Sequence, residues 1–228
     1  MSDAVLLTLA TVPAHALVAD CIAADRFAAL GSKEIAGLPV LHGGRAAQLG
    51  DFFRVGGERS ATLRIEGDLT RVEGIGAAMA SGEIFIAGGA RPGAARGMTG
   101  GEIVIHGTAG AGAGARMRRG LVVVTGDAAE GTGRGMIAGT VVVFGKAAAG
   151  AGRFLKRGSI VALDVMERPA TFRYACTYRP PYVPLLFRYL RARYGLAIAD
   201  RHVTGQYQRY VGDMAELGKG EILQWVGE

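Results

Sequence analysis

A 19-residue period governs the middle of this chain. The segments Gly82-Glu-Ile-Phe-Ile-Ala-Gly88, Gly101-Glu-Ile-Val-Ile-His-Gly107, Gly120-Leu-Val-Val-Val-Thr-Gly126 and Gly139-Thr-Val-Val-Val-Phe-Gly145 each begin 19 residues after the last. A partial row starts at Gly158, and an earlier one, Leu63–Gly67, fits with two extra residues before the next. The second half of each row repeats too. Gly93, Gly112, Gly131 and Gly150 share one slot; Met98, Met117, Met136 and Leu155 share another; Gly74, Gly76 and Met79 supply the first copy.

Each row holds one short β-branched run, which reads as a strand. A 19-residue unit cannot bury a hydrophobic face alone, whereas stacked units can. Neighbouring rows would pair as parallel strands ~4.8 Å apart. Ile86, Ile105, Val124 and Val143 would then form one ladder, and the methionine slot would fill the interior. Glycine supplies positive φ at the corners and lets backbones approach closely. The expected architecture is mainly β: a right-handed parallel β-helix, a single-stranded solenoid of 19-residue coils over residues 60–168. Residues 1–59 are read as an α/β N-terminal cap, and residues 169–228 as a helix-containing tail packing on the solenoid or on partners.

Side chains alternate faces along a strand. Yet Ile84–Ile86, Ile103–Ile105, Val122–Val124 and Val141–Val143 are apolar throughout. The outer face of the sheet must therefore be covered, as parallel sheets usually are. The cover is either the chain's own ends or another protein.

The flanks carry weaker signals. Val5–Val12 and Leu49–Val55 read as strands, Asp25–Leu30 as a short helix, and Ser32 as an N-cap. Tyr182–Tyr194 reads as a helix ended by Gly195, with Leu185, Leu186, Tyr189 and Leu190 as its apolar face. Gly220–Val226 is a further candidate strand.

Composition narrows the function classes. The chain has 228 residues, 37 of them glycine, and a net charge of +6. Half of it is hydrophobic, so it is not a disordered glycine-rich polymer. Cys21 and Cys176 form neither a disulfide framework nor a zinc spacing. Pro13, His15 and Asp20 interrupt the most apolar N-terminal stretch, and no run reaches membrane-spanning length. A cytoplasmic location is expected.

No catalytic constellation is visible. His15, His42, His106 and His202 fall in no ligand spacing, and no metal site is expected. Gly131-Thr-Gly-Arg-Gly belongs to the repeat rather than to a phosphate loop. Glu83 and Glu102 share a slot that Leu121 and Thr140 fill next, which argues against a carboxylate pair. The basic residues are more suggestive. Arg96, Arg134 and Arg153 occupy one slot, with Arg116, Arg118, Arg119, Lys156 and Arg157 at nearby corners. On a solenoid they would gather on one edge, either as a solvated face or as a track for an anionic chain or acidic subunit. Interleaved aromatics are missing from the rows, so nucleic acid is not the expected partner.

The 19-residue rows resemble a glycine-repeat β-helix shared by the C-terminal domain of the glutamate synthase large subunit and the C-subunit of formylmethanofuran dehydrogenase. Leu49-Gly-Asp-Phe-Phe, Tyr174-Ala-Cys-Thr-Tyr-Arg-Pro180 and Gly212-Asp-Met-Ala-Glu-Leu-Gly-Lys-Gly-Glu-Ile-Leu223 are similar to the latter. The Ala- and Arg-rich composition favours the version in the bacterial formyltransferase/hydrolase complex. That complex moves a formyl group from tetrahydromethanopterin to a methanofuran-like carrier and releases formate. The resemblance implies a scaffold subunit without an active site or bound cofactor of its own. Its implied partners are a metal-dependent amidohydrolase-like subunit, a formyltransferase subunit and a subunit related to molybdopterin enzymes. It also implies an alternative, a tungsten or molybdenum dehydrogenase. Methanofuran-type carriers bear glutamate-rich tails, so the corner arginines are candidate contacts for such a tail. A free polyanion-binding module is the competing class.

Overall fold

The computed structural model describes residues 4–227. It is mainly β. Strands β1 (Val5–Leu9), β2 (Leu17–Val18), β3 (Pro39–His42), β4 (Arg45–Gln48) and β5 (Phe53–Gly56) come from the N-terminal segment. Short helices α1 (Ala24–Phe27) and α2 (Ser32–Ala36) lie among them. The rows supply β6 (Thr62–Glu66), β7 (Val72–Glu73), β8 (Glu83–Ile86), β9 (Glu102–Ile105), β10 (Leu121–Val124), β11 (Thr140–Val143) and β12 (Arg157–Ala162). The tail adds β13 (Arg173–Tyr178), α3 (Tyr182–Tyr194), α4 (Asp200–Thr204), β14 (Gln206–Gly212) and β15 (Lys219–Gly227).

Eleven strands form one sheet in the order β13-β14-β15-β12-β11-β10-β9-β8-β6-β1-β5. From β8 to β12 each strand pairs in parallel with the strand one row on, residue for residue: Ile84 with Ile103, Ile103 with Val122, Val122 with Val141 and Val141 with Ile160. The two-residue insertion is absorbed between β6 and β8, which still pair Leu63 with Ile84. A second parallel track of single bridges links Ala90, Ala109, Ala128, Ala147 and Met166. Each row thus returns to the same lateral position.

Both ends extend this sheet. β1 lies parallel to β6 and antiparallel to β5. At the other end β15 is the next parallel rung after β12, and β14 and β13 continue it antiparallel. The four-stranded sheet β4-β3-β2-β7 packs beside the first rows.

Inner and outer faces build separate cores. Ile84, Ile103, Val122, Val141, Ile160 and Ile222 point inward with the fully buried Met79, Met98, Met117, Met136 and Leu155. Val104, Val123, Val142, Val161 and Leu223 point outward, under Val183, Phe187 and Leu190 of α3 and Leu196, Ile198, Val203 and Tyr207 beyond it. The chain's own tail therefore covers the apolar outer face.

Several local expectations shift. The face of α3 that packs on the sheet is Val183, Phe187 and Leu190, with Leu186 partly buried. Leu185 is 67% exposed and Tyr189 40% exposed, so the helix is rotated from the expected phase. Ser32 is the first helical residue of α2 rather than its cap; Gly31 precedes it and donates its N–H to the Glu34 carboxylate at 2.8 Å. Leu49–Asp51 is a 3-10 turn, with Asp51 accepting from the Gln48 N–H, and the strand begins only at Phe53. β1 stops at Leu9, after which Ala10 and Thr11 both donate to the Phe52 carbonyl.

Candidate interaction site

The slot that opens strands β8 to β11 explains the paired glutamates. Glu83, Glu102, Leu121, Thr140, Ser159 and Glu221 stack in that slot along the sheet. The helix α3 runs along this stack and is fastened at both ends. Arg193 holds Glu83 at 2.6 Å, while Tyr189 and Tyr194 donate to Glu102. At the far end Tyr182 and Ser159 donate to Glu221, which Arg209 also holds at 2.7 Å. Burial pushes the Tyr182 and Tyr194 phenols well above their usual range, with the glutamates adding to the effect. They remain neutral donors. Glu83 and Glu102 are docking groups for the tail.

The basic residues divide among three places. Arg96 reaches back to Asp20 at 2.7 Å and ties the N-terminal segment to the second row. Arg119 and Arg157 stand at strand entries, Arg157 opposite Lys219. Arg116, Arg118, Arg134 and Arg153 come together, with Lys156, around an open groove of about 1170 Å³ across three rows.

Two features of this groove were missed in the sequence. Each row has a third positive-φ position, held by Ala78, Gly97, Arg116, Gly135 and Phe154. Three of these five are not glycine, so the slot does not announce itself. The break in residue type at Phe154 was the signal that could have found it. The Phe154 N–H donates to the buried Asp213 carboxylate at 2.9 Å, and Ala215 N–H donates to the other oxygen. Burial alone would raise the Asp213 carboxyl. The neighbouring Thr171 hydroxyl, these two N–H groups and the nearby Arg153 outweigh it and hold the carboxyl below its usual range.

His15 and His42 lie side by side, ring centroids 5.6 Å apart, with the His15 N–H donating to His42 Nε2 at 3.1 Å, and the other two histidines lie elsewhere. His106 is exposed and tilted against Phe85; His202 packs edge-on to Trp225 and is held below its usual range by burial and then by Arg201. Among the described residues, no group of three or more His, Cys, Asp or Glu side chains is placed to hold a metal ion. No helix among them is long and apolar enough to cross a membrane.

Fold and site together define a stacked-row β protein with a basic groove along its corners. No family model matches the chain. It is 35% identical over 89 residues to the C-subunit of the tungsten-containing formylmethanofuran dehydrogenase 2 of Methanothermobacter wolfeii, covering 37% of this chain and 33% of that protein. It is 40% identical over 79 residues to the C-subunit of the molybdenum-containing formylmethanofuran dehydrogenase 1 of Methanosarcina barkeri, covering 32% and 26%. The matched region thus spans about a third or less of these curated relatives. In structure the chain is similar to a chain of the formyltransferase/hydrolase complex from Methylorubrum extorquens, determined in complex with methylofuran. The TM-score is 0.65 at 27% identity, covering 96% of this chain and 98% of that one. The chain is thus similar in sequence to C-subunits of formylmethanofuran dehydrogenases over part of its length, and in structure to a chain of the formyltransferase/hydrolase complex over nearly all of it.

Proposed function

We propose that this chain is the structural, non-catalytic C-subunit of a formyltransferase/hydrolase complex. In this reading the complex transfers a formyl group from tetrahydromethanopterin to a methanofuran-like carrier and hydrolyses it to formate. The carrier is handled by the complex rather than by this chain alone. The observation that carries the reading is the likeness, along nearly the whole of both chains, to a chain of the bacterial complex. The partners would be an amidohydrolase-like metal-dependent subunit, a formyltransferase subunit and a molybdopterin-enzyme-like subunit. The rows are read as turns of a right-handed parallel β-helix. The two parallel tracks support this, and parallel crossovers within one sheet are right-handed in about 98% of cases.

A second reading, the C-subunit of a tungsten or molybdenum formylmethanofuran dehydrogenase, is favoured by the names of the curated relatives. One experiment separates the two. The tagged chain is purified gently from its native cell, co-purifying chains are identified, metals are measured and formate release from formylated carrier is assayed. Formate release without tungsten, molybdenum or electron transfer supports the hydrolase complex. Tungsten or molybdenum with formate-dependent reduction selects the dehydrogenase, and a lone monomer overturns both.

A further inference from the structure

The large sheet ends on an open edge. β13 is its last strand and pairs only with β14. Arg173 to Thr177 are exposed, with Tyr174 57% exposed, and Tyr178 is half-buried. Beyond the ladder to β14, no backbone hydrogen bond among the described residues engages Arg173–Tyr178. The strand therefore presents a row of free N–H and C=O groups to solvent. The β14–β15 turn, at the Arg173 end of this edge, adds the exposed side chains of Met214 and Leu217.

Sheet edges are usually blunted by short length, a central charge, proline or a bulge. The opposite edge follows that rule: β5 has four residues, with Arg54 inside it. In β13 the run Tyr174-Ala-Cys-Thr-Tyr178 has neither charge nor proline, and the arginines stand only at its flanks, Arg173 and Arg179. A bulge at Ala175 interrupts the pairing with β14. It brings Tyr174 and Thr177 onto one face, where their hydroxyls meet at 3.0 Å and the Tyr174 ring packs edge-on to Tyr210. Bulges at sheet edges re-aim side chains in this way. Among the described residues, neither Arg173 nor Arg179 has a carboxylate within ion-pair distance.

We propose that β13 accepts a twelfth strand: an extended segment of another protein, uncharged and β-branched in its middle, with an acidic residue at each end. In strand addition the free main-chain groups supply affinity and alternate side chains supply specificity. Tyrosine and threonine on an exposed strand pair best with β-branched or aromatic residues across the ladder. Carboxylates facing Arg173 and Arg179 would stand about 20 Å apart along the segment, at ~3.4 Å per residue. A second copy of this chain fits less well. Antiparallel self-pairing centred on Cys176 sets Arg173 of one copy against Arg179 of the other at both ends, and like charges directly opposite are destabilising. This contact belongs to the chain itself and does not depend on which complex it joins.

The test titrates the full chain into the fluorescent heptapeptide Glu-Thr-Val-Thr-Val-Thr-Glu, followed by anisotropy, with amide hydrogen exchange read by mass spectrometry. One comparison peptide has lysine in place of both glutamates. Another has proline in place of the central threonine, which removes a ladder donor. The expected result is saturable binding with slowed exchange over Arg173–Tyr178, and about tenfold weaker binding of either comparison peptide. R173E/R179E should reverse the preference to the lysine-ended peptide; both side chains are exposed, so this variant should fold. No binding of the glutamate-ended peptide, equal binding of the proline peptide, exchange unchanged over β13, or the same preference in R173E/R179E would overturn the proposal. So would a concentration-dependent dimer of the free chain with its β13 amides already protected, which would give the edge to a second copy.

Discussion

Two alanine substitutions, Gly97→Ala and Gly120→Ala, separate the two things glycine does in each row. Gly97 has φ +67° and nothing within 4 Å of where a Cβ would sit. Its counterpart one row earlier is Ala78, at φ 56°. The substitution therefore introduces only left-handed backbone strain of about 1–2 kcal/mol, partly offset by the ~0.4–1 kcal/mol that alanine removes from unfolded-state entropy. The net cost should be roughly 0.5–1 kcal/mol. Gly120 has φ +109°, and its Cβ would lie 2.6 Å from the Gly101 carbonyl oxygen of the preceding row and would overlap Met98 Cε. Met98 can turn aside, but the carbonyl cannot. It accepts the Leu121 N–H at 3.1 Å and is part of the ladder. Forcing the rows apart adds an overpacking cost of about 1–3 kcal/mol to the strain, for a total of about 3 kcal/mol. Urea titration followed by far-UV circular dichroism measures both. Equal costs at the two positions would refute the claim that row contact, rather than φ alone, sets the glycine requirement.

Other outcomes follow from the same contacts. Phe187→Ala should cost about 3–5 kcal/mol in urea unfolding and Leu185→Ala under ~0.5 kcal/mol, since the first is fully buried on the outer face and the second is 67% exposed. A reversed ranking would show that the tail packs with the other helix face. The Asp213 carboxyl is held below its unfolded range, so its charge stabilises the fold above about pH 4, and that contribution fades as pH falls through the folded value. The stability gap between the natural chain and Asp213→Asn, measured by urea midpoints from pH 7 to 3, should narrow on acidification; a constant gap would exclude the linkage. Cys176 is exposed, whereas Cys21 is buried, with its thiol pushed up to about 11 by that burial. A thiol reagent at pH 7.5 should label one cysteine quickly and the second only on unfolding, with mass spectrometry assigning Cys176 as the first.

Much of the architecture was legible because it is periodic. A residue that recurs every 19 positions makes the same contact in each row, so Met98, Met117, Met136 and Leu155 identify an interior together. The tail offers no such redundancy. Val183, Phe187 and Leu190 are as acceptable a helical face as Leu185, Leu186, Tyr189 and Leu190. The choice falls to contacts about 90 to 110 residues away, where Glu83 and Glu102 hold Arg193, Tyr189 and Tyr194. Those glutamates looked idle in the sequence because their partners were invisible there.

Local sequence was enough for the stacked β rows, the inward and outward apolar ladders and the need for a cover over the outer face. These follow from period and composition, which every row states again. Folding in three dimensions was needed to make the tail itself the cover, and to add β1 and β15 as rungs at the two ends. It also parted the arginines, sending Arg96 to Asp20 and four others into a single groove. The physical reason is distance along the chain. A slot in the repeat fixes where a backbone atom lies, but the partner of a long charged side chain is set by whatever unrelated segment folds against it.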